Sequence, residues 1–392
     1  MASQTYSIQG LQVIRNALVR GLFTVVLTGF AATHLLSVNP ALAGAAMAPP
    51  TNCSPAAGAA AVGAPFNFGG CSGVLANFLS GIIGNTSGDN TSNAVNKATD
   101  TALGGNTGAG ANTQSFGADL APGSADPQVS VTPETRMSVW MDLAGTAWDG
   151  EQTADGDQIN FTAGIGQLVN PDLVVGVFGG YESYDYASNS VLGDISGDGA
   201  TIGVYAGWQA TPDWRLSGHL GWSRLDYDVR TNIGGAGGII TGSYDADRIM
   251  ASLTARGSYQ FSAGIFEPLA RIYALQEDHD AWIDSTGFVQ AASSDVTGRG
   301  TIGGTWKFDP VMVAAGDLSP YVGVFGDYLF GDIDEPFIVG GPTPDGLSGR
   351  VVTGFTLAAS NGYVIGLDGQ IGLLGSGEFT SYTGSLNVTK RF

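Results

Sequence analysis

The sequence predicts an all-β protein: a transmembrane antiparallel up-and-down β-barrel of about twelve strands, preceded by an export signal and a short low-complexity segment. Three observations carry this. From about Met137 to Phe392, apolar residues alternate with small or polar ones in runs of about ten, long enough to cross a bilayer at a tilt. Short connections alternate with long acidic ones. Aromatic residues gather at the ends of the runs, where membrane interfaces hold them.

Composition sets the same limits. Of 392 residues, 43% are hydrophobic, which argues against a disordered chain. Only 13% are charged, too few for an ordinary soluble surface. The net charge of −20 disfavours nucleic-acid partners, because phosphate is repelled. The acid is unevenly placed: Met1 to Gly88 contain no Asp or Glu.

The first 43 residues have the order of a signal peptide. Arg15 and Arg20 precede an apolar run, Gly21 to Val38. Pro40 and Ala41-Leu42-Ala43 then supply a small-residue exit, with cleavage after Ala43. A membrane anchor is the alternative, but the run is near the lower length limit and Gly, Thr and His34 dilute it. Export implies an oxidising compartment. Cys53 and Cys71 then read as a disulfide closing a short loop, against the alternative of two free thiols.

Residues 44–130 form a Gly/Ala-rich, passenger-like segment without a β-helix repeat. Two weak helical patches stand in it, Val74 to Ile83 and Ala94 to Leu103. Neither is long enough to be stable alone.

Residues 131–392 carry the strands, which are expected to begin near 138, 158, 172, 199, 213, 247, 265, 297, 320, 349, 361 and 379. Trp214, Leu216, Leu220 and Trp222 share one face with Gly218; Arg215, Ser217, His219, Gly221 and Ser223 share the other. Ile202, Val204, Ala206 and Trp208 alternate with Gly203, Tyr205 and Gly207. Short turns are expected at 169–172, 210–213, 262–264 and 360–361, and long outer loops at 147–157, 183–198, 226–245, 276–296 and 331–348. The 309–319 connection is a longer inner turn. Trp208, Trp214, Trp222, Tyr259, Phe261, Trp306 and Phe308 make the interfacial girdles.

In a membrane barrel the polar face lines the lumen. That set is Arg215, His219, Arg248, Arg256, Arg271, Arg299, Lys307, Glu182, Asp327 and Asp368. Apolar residues share the register of Arg271 and Asp327, so their facing is open. Such charges either contact a segment threading the pore or form a solvated ion-pair lining. Asp149 to Asp157 and Asp194 to Asp198 read as solvated outer loops or as weak Ca²⁺ ligands; their spacing is not that of an EF-hand. No HExxH or CxxC motif occurs, and Gly193-Asp-Ile-Ser196 falls one residue short of a lipase-type block. No enzyme activity, cofactor or metal is expected.

The order of elements over residues 131–392 resembles the translocator domain of autotransporters, the type V secretion family. Val175-Gly-Val-Phe-Gly-Gly-Tyr181 looks like the family's Gly-rich third strand. Ile202-Gly-Val-Tyr-Ala-Gly-Trp208 is similar to its fourth, and Phe266-Glu-Pro-Leu-Ala-Arg-Ile-Tyr273 to a strand with an aromatic and Pro. Thr389-Lys-Arg-Phe392 is similar to the closing signal, with Phe392 read by the outer-membrane barrel assembly machinery, although Lys390 stands where an apolar residue is usual. The large β-helical passenger and the double-Asn cleavage site of some members are absent. The resemblance implies a cell-surface protein that anchors and displays or translocates a short N-terminal segment, with a helix from the 94–128 region in the pore and residues 44–120 outside. Its partners would be outer-membrane lipid and the assembly machinery; a surface ligand is not identified. The rival readings are a small porin or adhesin-type barrel with a periplasmic tail, and a soluble secreted β-rich domain.

Overall fold

The computed structural model describes residues 69–104, 137–150, 154–188, 193–232, 238–331, 346–375 and 379–392. Ala43, Cys53 and the side chain of Cys71 lie outside them, and so do the cleavage site and the disulfide read from the sequence.

One helix, α1 (Gly69–Ala102), precedes the barrel strands. These are β1 (Met137–Gly150), β2 (Ala154–Asn170), β3 (Leu173–Ser188), β4 (Gly193–Thr211), β5 (Trp214–Asn232), β6 (Ile239–Gly257), β7 (Gly264–His279), β8 (Ser293–Lys307), β9 (Gly316–Gly331), β10 (Gly346–Ala359), β11 (Tyr363–Leu374) and β12 (Phe379–Arg391). Each pairs antiparallel with its sequence neighbours, and β12 pairs with β1 from Ser138↔Arg391 to Gly150↔Phe379. That last pairing closes a 12-strand barrel and leaves no open sheet edge in the membrane. Both chain ends of the barrel and all the short turns lie at one end, here called the inner end. Phe392 extends the closure there: its N–H donates to the Met137 carbonyl at 2.9 Å. Tight inner turns need glycine. At Gly264, φ is +136°, and a Cβ would stand 2.2 Å from the Lys307 carbonyl oxygen. The 309–319 connection is a hairpin, with Val311–Val313 paired to the start of β9.

The strands run further outward than the sequence reading placed them, into the expected loops: β1 reaches Gly150 and β2 starts at Ala154, both inside 147–157. β4 begins at Gly193 rather than near 199, and β6 at Ile239 rather than near 247. Most of 183–198 and 226–245 is therefore strand. The cause is an exchange of polarity along each strand. On β5, Trp214, Leu216, Leu220 and Trp222 point outward, as expected for contact with lipid. The next outward residues are Arg224, Asp226, Asp228 and Arg230, while Leu225, Tyr227 and Val229 turn inward and are buried. The cross-strand rows change together: Ile202–Trp222–Ile249 is apolar, and Asp198–Asp226–Asp245 lies two rows above it. Below this line the outside is hydrocarbon; above it the outside is water, and the strands behave like a soluble sheet. Trp222 accordingly sits within β5, at the upper edge of the lipid-facing band, rather than at a strand end.

The band makes a quantitative prediction. Val204 is 55% exposed and lies near its middle. Val204→Arg should lower stability by about 2–4 kcal/mol in lipid vesicles, whereas Asn232→Arg, above the band, should change it by less than about 0.5 kcal/mol. Urea unfolding of the vesicle-inserted barrel measures both.

Candidate functional site in the barrel lumen

The lumen holds α1. Its residues are poor helix formers, rich in Gly, Ser, Thr and Asn, and would not hold a helix in water. Inside the barrel most of the helix is buried against the wall, and its hydroxyls return to its own backbone. Thr86 Oγ1 donates to the Ile82 carbonyl and Ser87 Oγ to that of Ile83, each at 3.0 Å, and Thr99 Oγ1 to that of Val95 at 2.8 Å. Gly104, at φ +70°, ends the helix. The two helical patches of the sequence are thus parts of one helix over Gly69–Ala102; of the 94–128 region expected in the pore, 94–102 belongs to it and 105–128 lies outside the described residues.

The helix has a definite direction. Near its start, a Cβ on Gly73 would meet Gln290, and Ser293 at the outer end of β8 donates to Asn77 at 3.4 Å. Near its finish, a Cβ on Gly207, at the inner end of β4, would stand 1.9 Å from Thr99 Cγ2. The N-terminus therefore faces the outer mouth and the C-terminus the inner one.

The two halves of α1 meet different walls. In the outer half, Leu75, Leu79, Ile82 and Ile83 are fully buried against Trp148, Tyr186, Ile195, Leu225, Tyr227, Leu329, Leu373 and Phe379. Tyr227 stacks on Tyr244 at 4.9 Å, and Tyr244 on Trp282 at 5.6 Å. Trp282 belongs to a small hairpin, Trp282–Ile283 with Val289–Gln290, between β7 and β8. These side chains make a dry seal across the outer half.

The inner half is polar and matched charge by charge. Asp89 lies 3.2 Å from Arg350 and 3.4 Å from Arg299, and Arg271 donates to it. Lys97 is 2.8 Å from Asp368 and 3.3 Å from Asp142. Asp100 is 2.8 Å from Arg256 and 3.6 Å from Arg215. Neutral contacts fill the intervals: Asn90 donates to Asn160 at 2.8 Å, and Ser217 to Asn96 at 2.6 Å. A cavity of about 140 Å³ remains between this half of α1 and the wall from β6 to β12, lined by Lys97, Lys307, Tyr321, Arg350 and Asp368 among others.

A second network lies within the wall beside the seal. Arg248, fully buried, donates to Glu182 at 2.8 Å and Glu277 at 2.7 Å. Tyr227 donates to Glu277 at 2.6 Å, and Ser87 of the helix donates to Glu182. Further in, Lys307 donates to Glu267 at 2.9 Å.

The residues read from the sequence as lumen-lining therefore fall into distinct roles. Arg215, Arg256, Arg271, Arg299 and Asp368 reach the helix; Arg248, Lys307 and Glu182 pair within the wall. His219 is buried with its ring edge-on to Phe178 at 5.8 Å. Both residues of open facing, Arg271 and Asp327, point inward and are buried. Sequence reasoning missed Asp89, Lys97, Asp100, Asp142, Glu267, Glu277 and Arg350. Arg350 shares the inward register of Ser348 in β10, but that strand was expected to begin only near 349, so no earlier residue set its facing. The helix charges carried no signal until the helix had a wall beside it. Among the described residues, no group of three or more His, Cys, Asp or Glu is placed to hold a metal ion.

A family model described as the autotransporter beta-domain matches residues 139–370. The beta domain of the Bordetella autotransporter BrkA superposes with a TM-score of 0.54 at 16% identity, over 66% of this chain and 100% of that one. The translocator domain of the autotransporter NalP from Neisseria meningitidis gives 0.55 at 15% identity, over 66% of this chain and 90% of that one. At these identities the structural likeness is one of fold. No curated protein matches the sequence.

The wall network has a measurable cost of disruption. Arg248→Ala leaves Glu182 and Glu277 buried without their cation and should destabilise the barrel by about 3–5 kcal/mol. Arg224→Ala, which breaks ion pairs on the exposed outer face, should leave the unfolding temperature nearly unchanged, because water screens those pairs. The temperature at which each barrel loses its resistance to detergent unfolding reports the difference.

Proposed function

The chain belongs to the autotransporter β-domain family, and on that premise we propose how it is exported, oriented and held. It is an outer-membrane barrel that translocates a passenger segment. The direction of α1 carries the orientation. Its N-terminus lies at the end where the strands project above the lipid band, and its C-terminus lies with Met137 and the short turns. Short turns face the periplasm in such barrels. On this reading the segment before Gly69 is the part presented outside the cell. This narrows the displayed segment from the 44–120 of the sequence reading to the part before the helix.

Export would begin with the signal at residues 1–43, cleaved after Ala43. Insertion would use the assembly machinery acting on the final strand and Phe392, with lipid around the apolar band. A holding and passing role needs no catalytic residue, and none is assigned. The porin alternative is not favoured, because the helix and its seal occupy the lumen.

An epitope inserted after Gly44 should be removed by protease on intact cells, with the barrel protected. A second epitope after Gly110 should be cut only once the outer membrane is permeabilised. Protection of the first on intact cells would put the segment in the periplasm and overturn display.

A further inference from the structure

From Met1 to Gly88 the only charged residues are Arg15 and Arg20, both within the segment read as the signal. Three charges then follow inside α1: Asp89, Lys97 and Asp100. Each is met by a wall cluster of the opposite sign. Asp89 sits among Arg271, Arg299 and Arg350; Lys97 between Asp142 and Asp368; Asp100 between Arg215 and Arg256. The helix carries no other charge.

We propose that Asp89, Lys97 and Asp100 form an electrostatic stop that fixes how far the chain is exported through this barrel. The proposal rests on the translocation reading above and adds the residues that end the movement. The stretch before Gly88 brings no charge to pair with the ionic wall; its contact there is the neutral Ser87 hydroxyl on Glu182. The chain rests at the one register in which all three charges meet their counter-charges together.

Neighbouring registers fail for stated reasons. A slip of one residue moves the helix by about 1.5 Å and turns it by about 100°, which separates every pair. An advance of three residues carries Asp100 into the site of Lys97, against Asp142 and Asp368. An advance of four puts Asn93 and Thr101 where Asp89 and Lys97 stood, leaving the arginines and aspartates unpaired. Unpaired buried charge is strongly disfavoured. The apolar seal discriminates less, because burial of Leu79 or Ile83 is non-directional. Asp89, Lys97 and Asp100 are thus positioning residues for export.

The register can be read by cross-linking in the full-length chain, in the outer membrane of a Gram-negative host, with Cys53→Ser and Cys71→Ser. Ser217→Cys is paired in turn with Asn96→Cys, Ser92→Cys or Leu103→Cys. Asn96 and Ser217 are hydrogen-bonded at 2.6 Å in the seated register. The unaltered charges should give the 96–217 link almost alone. Asp89→Asn/Lys97→Gln/Asp100→Asn should reduce that link roughly tenfold, in proportion to the lost ionic preference, and raise the 92 or 103 links. Leu79→Ala/Ile83→Ala should leave the 96–217 link dominant. If the triple variant does not insert, the single variants Asp89→Asn and Lys97→Gln, each of which should lower the 96–217 share and raise the 92 or 103 links, decide the matter. Retention of the single link without the charges overturns the stop. A tag after Gly44 is labelled in parallel on intact cells bearing the unaltered chain. Its absence from the surface overturns the export reading and the stop with it; its presence with a charge-independent register overturns the stop alone.

Discussion

A barrel wall that faces hydrocarbon on the outside can place its polar side chains only inward, and each polar group placed there must find a partner. This requirement governs the rest of the structure. Seven wall cations would be a liability in an empty narrow pore: Arg215, Arg248, Arg256, Arg271, Arg299, Lys307 and Arg350 all point inward. Here Glu182, Glu267, Glu277 and Asp327 satisfy part of that charge from the wall itself, and Asp89 and Asp100 of the helix satisfy more. Wall and helix are electrostatically one object, and neither is satisfied without the other.

The same requirement explains why the helix exists. Its sequence has little propensity to be helical, and its two apolar patches are separate in the chain. Buried within the wall, a helix is the conformation that satisfies its own backbone. The wall then selects the register. Secondary structure here follows from tertiary burial.

The exchange of polarity along the strands divides the lumen into two working parts. Above the Trp222 row the outside is aqueous, so the inside is free to be apolar, and the outer half of α1 closes it as a dry seal. Below that row the outside is lipid, so the inside is polar and carries the ion pairs and the cavity beside the wall from β6 to β12. Closure and register are therefore separate properties in separate places. The seal excludes water without specifying a position, and the charges specify a position while leaving room for water.

Much of this was legible in the chain. The strand count, the sequential pairing, the short inner turns and the outward set Ile202, Val204, Ala206 and Trp208 follow from an alternation that only one face of a barrel can satisfy. Arg215, Arg248, Arg256, Arg299, Lys307 and Asp368 could be placed inward for the same reason. The height of the strands was hidden. In Leu225-Asp226-Tyr227-Asp228-Val229 the alternation persists, but acid content alone looks like a loop. Alternation along the chain specifies the barrel, because a period of two against lipid has few solutions. That Gly69–Ala102 is one helix, which way it runs, and which wall residues hold Asp89, Lys97 and Asp100 emerge only from the packed barrel. Those facts depend on contacts between residues far apart in the chain, and no local period or propensity encodes which charges will face each other across a closed lumen.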